Sequence, residues 1–326
     1  MVAWFGAVQA QEYAAAKWAL GLRMPAHATD EGIERAFNDG RILRTHVLRP
    51  TWHFVAAPDI RWMLELTSPR VHRALAYAHR YYELDATIRT RAAALFEQAL
   101  GGGQHLTRAE LGACLARAGM AASGTRLALL TIHAELEGVM CSGSKRGTQQ
   151  TYAHLVKRAP HARRLARDEA LAELTRRYFR SHGPATLRDF VWWSGLTTAD
   201  ASRGVEMAGA RNEAIDGHTY WTYGPATMGA APGGFVHLLP GYDEYLVAYR
   251  DHLAVPRPTA SRGPLSRAVI AAGYVAGTWN AVRTAGGVAL EVSPLRLLSG
   301  RERRALSGAG SRYGHFLNAT ASIRIA

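Results

Sequence analysis

The chain has 326 residues, with 39 lysines and arginines against 26 aspartates and glutamates, and carries a formal net charge of +13. This length predicts about two domains, or three to four small ones, and the 48% hydrophobic content argues against disorder. The sequence shows no apolar membrane span and no secretory signal, and its two cysteines, Cys114 and Cys141, exclude a disulfide scaffold or a cysteine-based metal site. We therefore expect a soluble cytoplasmic protein.

The first hundred residues alternate between helical and extended patterns. Apolar residues recur at helical spacing in five segments, and a run rich in β-branched and aromatic residues lies between the second and the third. Pro50 divides this run into two strands, because proline cannot donate to a sheet. Helices are predicted at 12–22, 31–39, 59–66, 69–82 and 85–100, the strands within 44–55, and a glycine break at 101–103.

Two later segments share one plan of helix, tight turn, helix and hairpin. Each begins with a capping sequence, in which a threonine precedes an acidic residue by three positions. This plan is that of the winged helix-turn-helix, and residues 31–56 fit it less cleanly as a third copy. The predicted helices run from Thr107 to Arg117, over 124–137, from Thr186 through Trp193, and from Thr198 to Ala208, and the hairpins end at 158 and Tyr223.

The character of the sequence changes after Pro225. Short segments punctuated by glycine and proline predict a small all-β barrel, closed by a terminal helix at 299–308. The predicted strands are Phe235–Leu239, Tyr245–Tyr249, Val269–Ala272, Tyr274–Val282 and Val288–Val292.

The predicted fold class is therefore α+β, with three tandem winged helix-turn-helix domains and a small C-terminal β-barrel. The expected boundaries are 1–82, 83–160 and 161–225 for the winged helices, and 226–326 for the barrel.

The basic excess is concentrated in three stretches that contain no acidic residue, namely 40–58, 138–167 and 252–290. Together they hold 14 lysines and arginines, so the remainder of the chain is close to neutral. Concentrated positive charge on a neutral scaffold is typical of polyanion binding, although a solubilising basic face explains it equally well.

Few residues stand out as chemical candidates. Phosphate-loop, dinucleotide, zinc-protease and serine-hydrolase motifs are absent, and the histidines are not paired at ligand spacing, so no metal site is predicted. We interpret His53 and His237 as structural, and likewise the pair Asp243-Glu244, of which one member is expected to be buried against an arginine.

The sequence Gln9-Ala10-Gln11 is a more specific candidate. Its two glutamines share a face only in extended backbone, and the helical pattern begins only at about Glu12. Two neighbouring amides can hold a water molecule and direct carbonyl oxygens toward a developing cation.

Five stretches, in order, resemble the AlkZ/YcaQ-like family of winged-helix DNA glycosylases. The resemblance extends over nearly the whole chain. The matching stretches are Gly6–Glu12, Arg49–Val55 with Asp59-Ile60, Thr186–Leu196, Leu239–Leu246 and Val275–Trp279.

The resemblance implies three winged helices and a β-barrel around a basic channel. It implies hydrolysis of the N-glycosidic bond of alkylated purines, including crosslinked N7-alkylguanine, in double-stranded DNA, by a monomer without metal or other cofactor and without an obligate protein partner. Family members carry Q-Φ-Q or Q-Φ-D as the catalytic signature, which places the catalytic residues at Gln9 and Gln11.

Family members usually have a further helix before this motif, whereas eight residues precede Gln9 in this sequence. Either the start lies upstream, or Gln9 and Gln11 are held less firmly and activity is impaired.

We expect most DNA contacts to go to phosphates and therefore to be independent of sequence. The residues expected to make them are Arg49, Thr51, His53, Lys145, Arg146, Lys157, Arg158, Arg257, Arg262 and Arg267, the last three belonging to a loop at 255–267.

Two other functions fit the composition and the repeats. One is a non-catalytic winged-helix DNA-binding protein, such as a transcription regulator, in which the two glutamines are incidental. The other is a protein-interaction module whose winged helices bind no DNA.

Overall fold

The computed structural model describes residues 1–224, 235–251 and 267–326. Its helices are α1 Val2–Phe5, α2 Tyr13–Gly21, α3 Asp30–Asn38, α4 Ile60–Tyr81, α5 Ala86–Leu100, α6 Arg108–Arg117, α7 Gly124–Leu136, α8 Leu155–Arg158, α9 Arg167–Ser181, α10 Leu187–Ser194, α11 Thr198–Ala208, α12 Glu244–Val247 and α13 Gly300–Phe316. Its strands are β1 Ala7–Gln9, β2 Ile42–His46, β3 Trp52–Ala56, β4 Leu106–Thr107, β5 Met140–Ser142, β6 Thr151–His154, β7 Ala185–Thr186, β8 Arg211–Ile215, β9 His218–Thr222, β10 Val236–Leu239, β11 Ala268–Ala271, β12 Tyr274–Thr284, β13 Gly287–Pro294 and β14 Ala321–Ile325.

The same connectivity occurs three times in the described chain. A short strand precedes two helices and a hairpin, and in each sheet the first strand pairs with the third, giving the orders β1-β3-β2, β4-β6-β5 and β7-β9-β8. The second and third units begin with complete capping boxes, in which Thr107 pairs with Glu110 and Thr186 with Asp189. Local capping chemistry thus starts these helices where the sequence predicts them.

The C-terminal strands form a five-stranded sheet in the order β10-β11-β12-β13-β14. In the described part of the chain no pairing joins β10 to β14, so the predicted closed barrel is not confirmed. The last strand, β14, runs parallel to β13 and was not predicted.

The last helix, α13, continues to Phe316, well past the predicted end at 308. Two glycines within this helix allow close packing. A Cβ at Gly310 would lie 2.6 Å from Ile323, and one at Gly314 would lie 2.6 Å from the Ala319 carbonyl oxygen. These glycines therefore make room for the final strand and the turn before it.

Two other predicted elements differ from the structure. The predicted strand Tyr245–Tyr249 is wrong, because Asp243 caps a short helix there by accepting a hydrogen bond from the Tyr245 N–H at 2.9 Å. Residues 59–66 and 69–82 form essentially one helix, α4, with Pro69 inside it. That helix continues through the proline because residues on both sides, such as Leu66 and Val71, are buried.

Asp59, in the resemblance motif, fixes α4 to α9. Its carboxylate accepts hydrogen bonds from Trp62 at 3.1 Å and from Arg177 at 2.6 Å, and it also pairs with Arg163. Burial raises the pKa of Asp59, but the hydrogen bonds from the two arginines outweigh it and lower the pKa overall.

Asp243 joins the C-terminal part to the N-terminal helices. Its fully buried carboxylate accepts two hydrogen bonds from Arg23, at 2.6 and 2.8 Å. Two parallel N–H···O bonds of this kind are strong and directional. The sequence expectation that one member of the acidic pair lies against an arginine is thus met by Asp243.

We predict that Asp243→Asn lowers the free energy of unfolding by about 3–5 kcal/mol, because it leaves the charge of Arg23 without its buried partner. The asparagine oxygen still caps Tyr245, so the substitution removes mainly the charge. Asp39→Asn is the matched control, since Asp39 and Arg41 form an exposed pair at 3.4 Å, which is worth about 0–1 kcal/mol. Urea unfolding measures both variants, and equal losses would contradict the role of Asp243.

Candidate active site and DNA-binding face

Gln9 ends strand β1 and lies directly opposite His53 on β3. Only 7% of Gln9 is exposed. Its backbone N–H donates to Glu244 Oε1 at 2.6 Å, and its side-chain Oε1 accepts a hydrogen bond from Arg49 at 3.1 Å. Both the backbone and the side chain of Gln9 are therefore fixed by charged groups.

Glu244 is the buried anion beneath this strand. Besides Gln9, it accepts a hydrogen bond from Trp193 Nε1 at 2.9 Å, and His182 Nε2 lies 3.5 Å from the same oxygen. Burial raises the pKa of Glu244, but His182, the Gln9 N–H and the charge of Arg49 together bring it down to about 2. The carboxylate is thus ionised at neutral pH, next to Gln9.

Arg49 connects Gln9 to the third repeated unit. Its guanidinium lies 5.8 Å from the ring centroid of Trp192, and its buried Nε has no hydrogen-bond partner among the described residues. Burial lowers the pKa of Arg49. Arg49 therefore has a second N–H donor, at Nε, in addition to the one that binds Gln9.

The turn that carries Arg49 packs tightly against the end of α10. Leu48 has a φ of 64°, and its backbone N–H donates to Thr67 Oγ1 at 3.1 Å. Gly195, also at positive φ, lies so close that a Cβ would be 2.2 Å from the Leu48 carbonyl oxygen. Two motifs of the resemblance, around Arg49 and Gly195, are thus in direct contact.

His53 lies fully buried in the sheet between Gln9 and Thr45, both of which it faces across the strands. Its Nδ1 lies 2.9 Å from the carbonyl oxygen of Thr51, so in the neutral ring this nitrogen carries the proton and Nε2 is an acceptor. Within the described chain, Nε2 and the Thr51 Oγ1 have no partner. Burial, and next the charge of Arg49, lower the pKa of His53 to about 3.

Gln11 differs from Gln9 in its surroundings. It is exposed, two residues past the end of β1, and helix α2 begins only at Tyr13. Its Oε1 lies 3.4 Å from the Trp52 N–H, and its backbone carbonyl accepts a hydrogen bond from Arg44 at 3.3 Å. Gln9 is therefore buried and Gln11 is exposed, although both belong to one short segment.

The first two acid-free stretches lie side by side. The Arg44 N–H donates to Ser142 Oγ at 2.8 Å, and Arg158 Nη2 donates to the Phe37 carbonyl at 2.5 Å beside Gly40. Of the third stretch, residues 252–266 lie outside the described residues, including the predicted contacts Arg257 and Arg262.

Several predicted DNA-binding cations already have partners within the chain. Lys145 lies 3.1 Å from Glu34, and Arg146 lies 2.7 Å from Glu110. Arg267 donates to Asn280 at 3.0 Å, whereas Lys157 is exposed on α8. Acidic residues from outside the basic stretches thus neutralise part of their charge.

The sequence did not identify Glu244, His182 and Trp193 as parts of this site. From the sequence, Glu244 is interpreted as structural together with Asp243, whereas in the structure Glu244 binds Gln9 and Asp243 binds Arg23. The resemblance motifs could have pointed to two of these residues, because Glu244 lies in the motif Leu239–Leu246 and Trp193 in the motif Thr186–Leu196.

Comparison with known proteins agrees with these motifs. The model of the AlkZ-like DNA glycosylase family matches residues 2–316. The chain belongs to the AlkZ-like DNA glycosylase family. Among solved structures, the fold is similar to that of the Streptomyces sahachiroi DNA glycosylase AlkZ, with a TM-score of 0.79 and 20% identity, covering 100% of this chain and 92% of that one. No curated protein sequence matches significantly.

Family membership supports a DNA glycosylase, which is a hydrolase that binds DNA. In the described residues no helix is both long and apolar enough to cross a membrane.

We predict that the His53 ring stays neutral from pH 7 down to about pH 4, because protonation would place a charge in a buried site beside Arg49. Ring chemical shifts measured by NMR test this, with His53→Gln used to assign the signal. A His53 signal that titrates near its ordinary pKa of about 6.5 would contradict the buried placement.

The same depressed pKa has a consequence for folding. The unfolded chain binds the His53 proton below about pH 6.5 and the folded chain does not, so unfolding becomes easier as the pH falls from there toward 3. The free energy of unfolding of His53→Gln should therefore fall less between pH 6.5 and pH 3 than that of the unmodified chain.

Proposed function

We propose that the chain hydrolyses the N-glycosidic bond of cationic N7-alkylated purines in double-stranded DNA, including crosslinked N7-alkylguanine. The observation that carries this proposal is the burial of Gln9, whose side-chain Oε1 accepts a hydrogen bond from Arg49 while its backbone N–H donates to the ionised Glu244.

An alkyl group at N7 gives the purine a positive charge. When the bond between the base nitrogen and C1′ breaks, its electron pair passes to the base, which leaves neutral and needs no strong general acid. The task that remains is to stabilise an oxocarbenium-like sugar and to place a water molecule. Preorganised polar groups suffice for this, so no metal is required.

Gln9 is suited to stabilising the cationic sugar. Its Oε1 is a carbonyl dipole that already accepts a hydrogen bond from Arg49, so its position is set before the substrate arrives. Glu244 accepts a hydrogen bond from the backbone N–H of Gln9, and its buried negative charge would attract the developing cation.

Gln11 and His53 complete the proposed site. Gln11 lies at the surface, where it can meet the sugar-phosphate backbone. The neutral His53 lies fully buried opposite Gln9 and supports that strand without carrying a charge. The attacking water bonds to C1′ through its oxygen and gives one proton to the surrounding water. Because neither Gln11 nor His53 has to ionise, the rate is expected to vary little with pH near neutrality.

The three repeated units are proposed to be winged helices that grip the DNA, with one chain acting as a monomer in the cytoplasm. Their common strand–helix–helix–hairpin connectivity supports this, as does the contact between the stretches 40–58 and 138–167. Contacts from the predicted cations should go mainly to phosphates.

Gln9→Ala and Gln11→Ala should each slow single-turnover release of 7-methylguanine from duplex DNA by about 10²–10³-fold, the cost of losing one preorganised polar group. DNA affinity, measured separately, should be unchanged. Gln98→Ala, at an exposed glutamine on α5, is the matched control.

Parental rates in both glutamine variants would contradict the catalytic assignment. If the unmodified protein binds DNA tightly but releases no alkylated base, a non-catalytic DNA-binding protein becomes the better interpretation.

Lys157→Gln should reduce the salt dependence of DNA binding by about 0.9 in the slope of log K against log salt concentration, if the side chain contacts one phosphate. Arg301→Gln, on the exposed face of α13 outside the basic stretches, should leave the slope unchanged. An unchanged slope in Lys157→Gln would remove this residue from the interface.

A further inference from the structure

A second cluster of reactive side chains lies between α4 and α7, neither of which carries Gln9, Arg49 or Glu244. His72 comes from α4, and His133 lies at the end of α7, with Glu137 just beyond it. His133 and Glu137 are four residues apart and so share one side of this helix end. Sequence spacing does not reveal His72 as the third member, because its contact with the other two depends on how α4 and α7 pack.

The geometry of the cluster suits a small cation. One ligand atom from each of these three residues lies within 4.8 Å of the others. His72 Nε2 is 2.9 Å from Glu137 Oε1, and His133 Nδ1 is 3.9 Å from the same oxygen. Ligand atoms around tetrahedral zinc are about 3.4 Å apart, given metal–ligand bonds of about 2.0–2.1 Å. Small side-chain rotations would thus bring these atoms into a coordination shell.

Two histidine nitrogens in the cluster region lack a hydrogen-bond partner in the described structure. They are Nδ1 of His133, which is 7% exposed, and Nε2 of His79, which is 4% exposed and lies one heptad after His72 on α4. Buried polar side-chain atoms are usually hydrogen-bonded, so this pair is unusual. Both residues line the same cavity of about 710 Å³ as His72 and Glu137.

The charge of the cavity also permits a cation here. Two arginines and three carboxylates line the cavity, so its formal charge is negative; they are Arg80, Arg89, Glu83, Asp85 and Glu137.

We propose that His72, His133 and Glu137 form a divalent-metal site, with Zn²⁺ as the preferred ion. Two or more imidazoles with one carboxylate is a donor set that zinc prefers. The bound ion would tie α4 to α7 and thereby fix the second repeated unit to the first. This is a structural role, separate from the glycosidic chemistry.

The test is titration of the EDTA-treated full chain with Zn²⁺ by calorimetry, and with Co²⁺ by visible absorption. We expect one ion per chain, a rise in melting temperature with Zn²⁺, and a Co²⁺ spectrum typical of four-coordinate geometry. His72→Ala and Glu137→Gln should each weaken binding by more than about tenfold, since even the loss of an outer-shell partner costs about 10–100-fold.

Glu137 is half-exposed, so its substitution leaves the core intact and separates metal loss from misfolding. Glu97→Gln is the matched control, because Glu97 is exposed and, among the described residues, forms an ion pair with a single histidine, His154, at 3.6 Å. Absence of stoichiometric Zn²⁺ binding by the unmodified chain would overturn the proposal, as would binding that survives both His72→Ala and Glu137→Gln.

Discussion

The rest of the site depends on one buried carboxylate. Glu244 is ionised in the interior, where an unpaired charge would cost several kcal/mol, so every group around it must supply compensation. The Gln9 N–H and Trp193 Nε1 donate to it, and His182 lies beside it. Gln9 belongs to strand β1, His182 follows α9, and Trp193 lies on α10, whereas Glu244 lies between β10 and β11. Satisfying this one charge therefore brings distant parts of the chain together.

This constraint explains why the recognisable motifs are so widely separated. Glu244 and Gln9 are 235 positions apart, yet they are joined by the shortest hydrogen bond of the site. Gly195 allows the turn before Arg49 to approach α10, and Arg49 in turn holds the Gln9 carbonyl. The motifs therefore describe a single network, in which the carboxylate binds the backbone N–H of Gln9 and the arginine binds its side-chain oxygen. Neither Glu244 nor Arg49 has to react, since both contribute by fixing the position of Gln9 before the substrate binds.

What could be predicted from sequence was largely local. The capping boxes at Thr107 and Thr186 mark their helices because both partners lie within one turn. Tyr245–Tyr249 has the composition of a strand, but Asp243 caps a short helix, Glu244–Val247, by accepting a hydrogen bond from the Tyr245 N–H. The role of Glu244, and the meeting of His72 with His133, depend on tertiary packing between distant elements. No spacing in the sequence encodes such contacts, although the family resemblance pointed to Gln9.

The central claim is that Gln9 is held ready to stabilise a cationic sugar. A crystal structure with duplex DNA that carries a pyrrolidine nucleotide, a protonated mimic of the oxocarbenium ion, tests it most directly. The account predicts the Gln9 carbonyl oxygen within hydrogen-bonding distance, about 2.7–3.2 Å, of the pyrrolidinium nitrogen, with its contacts to Arg49 and Glu244 retained. A pyrrolidinium bound elsewhere, with Gln9 still enclosed in the protein, would contradict it.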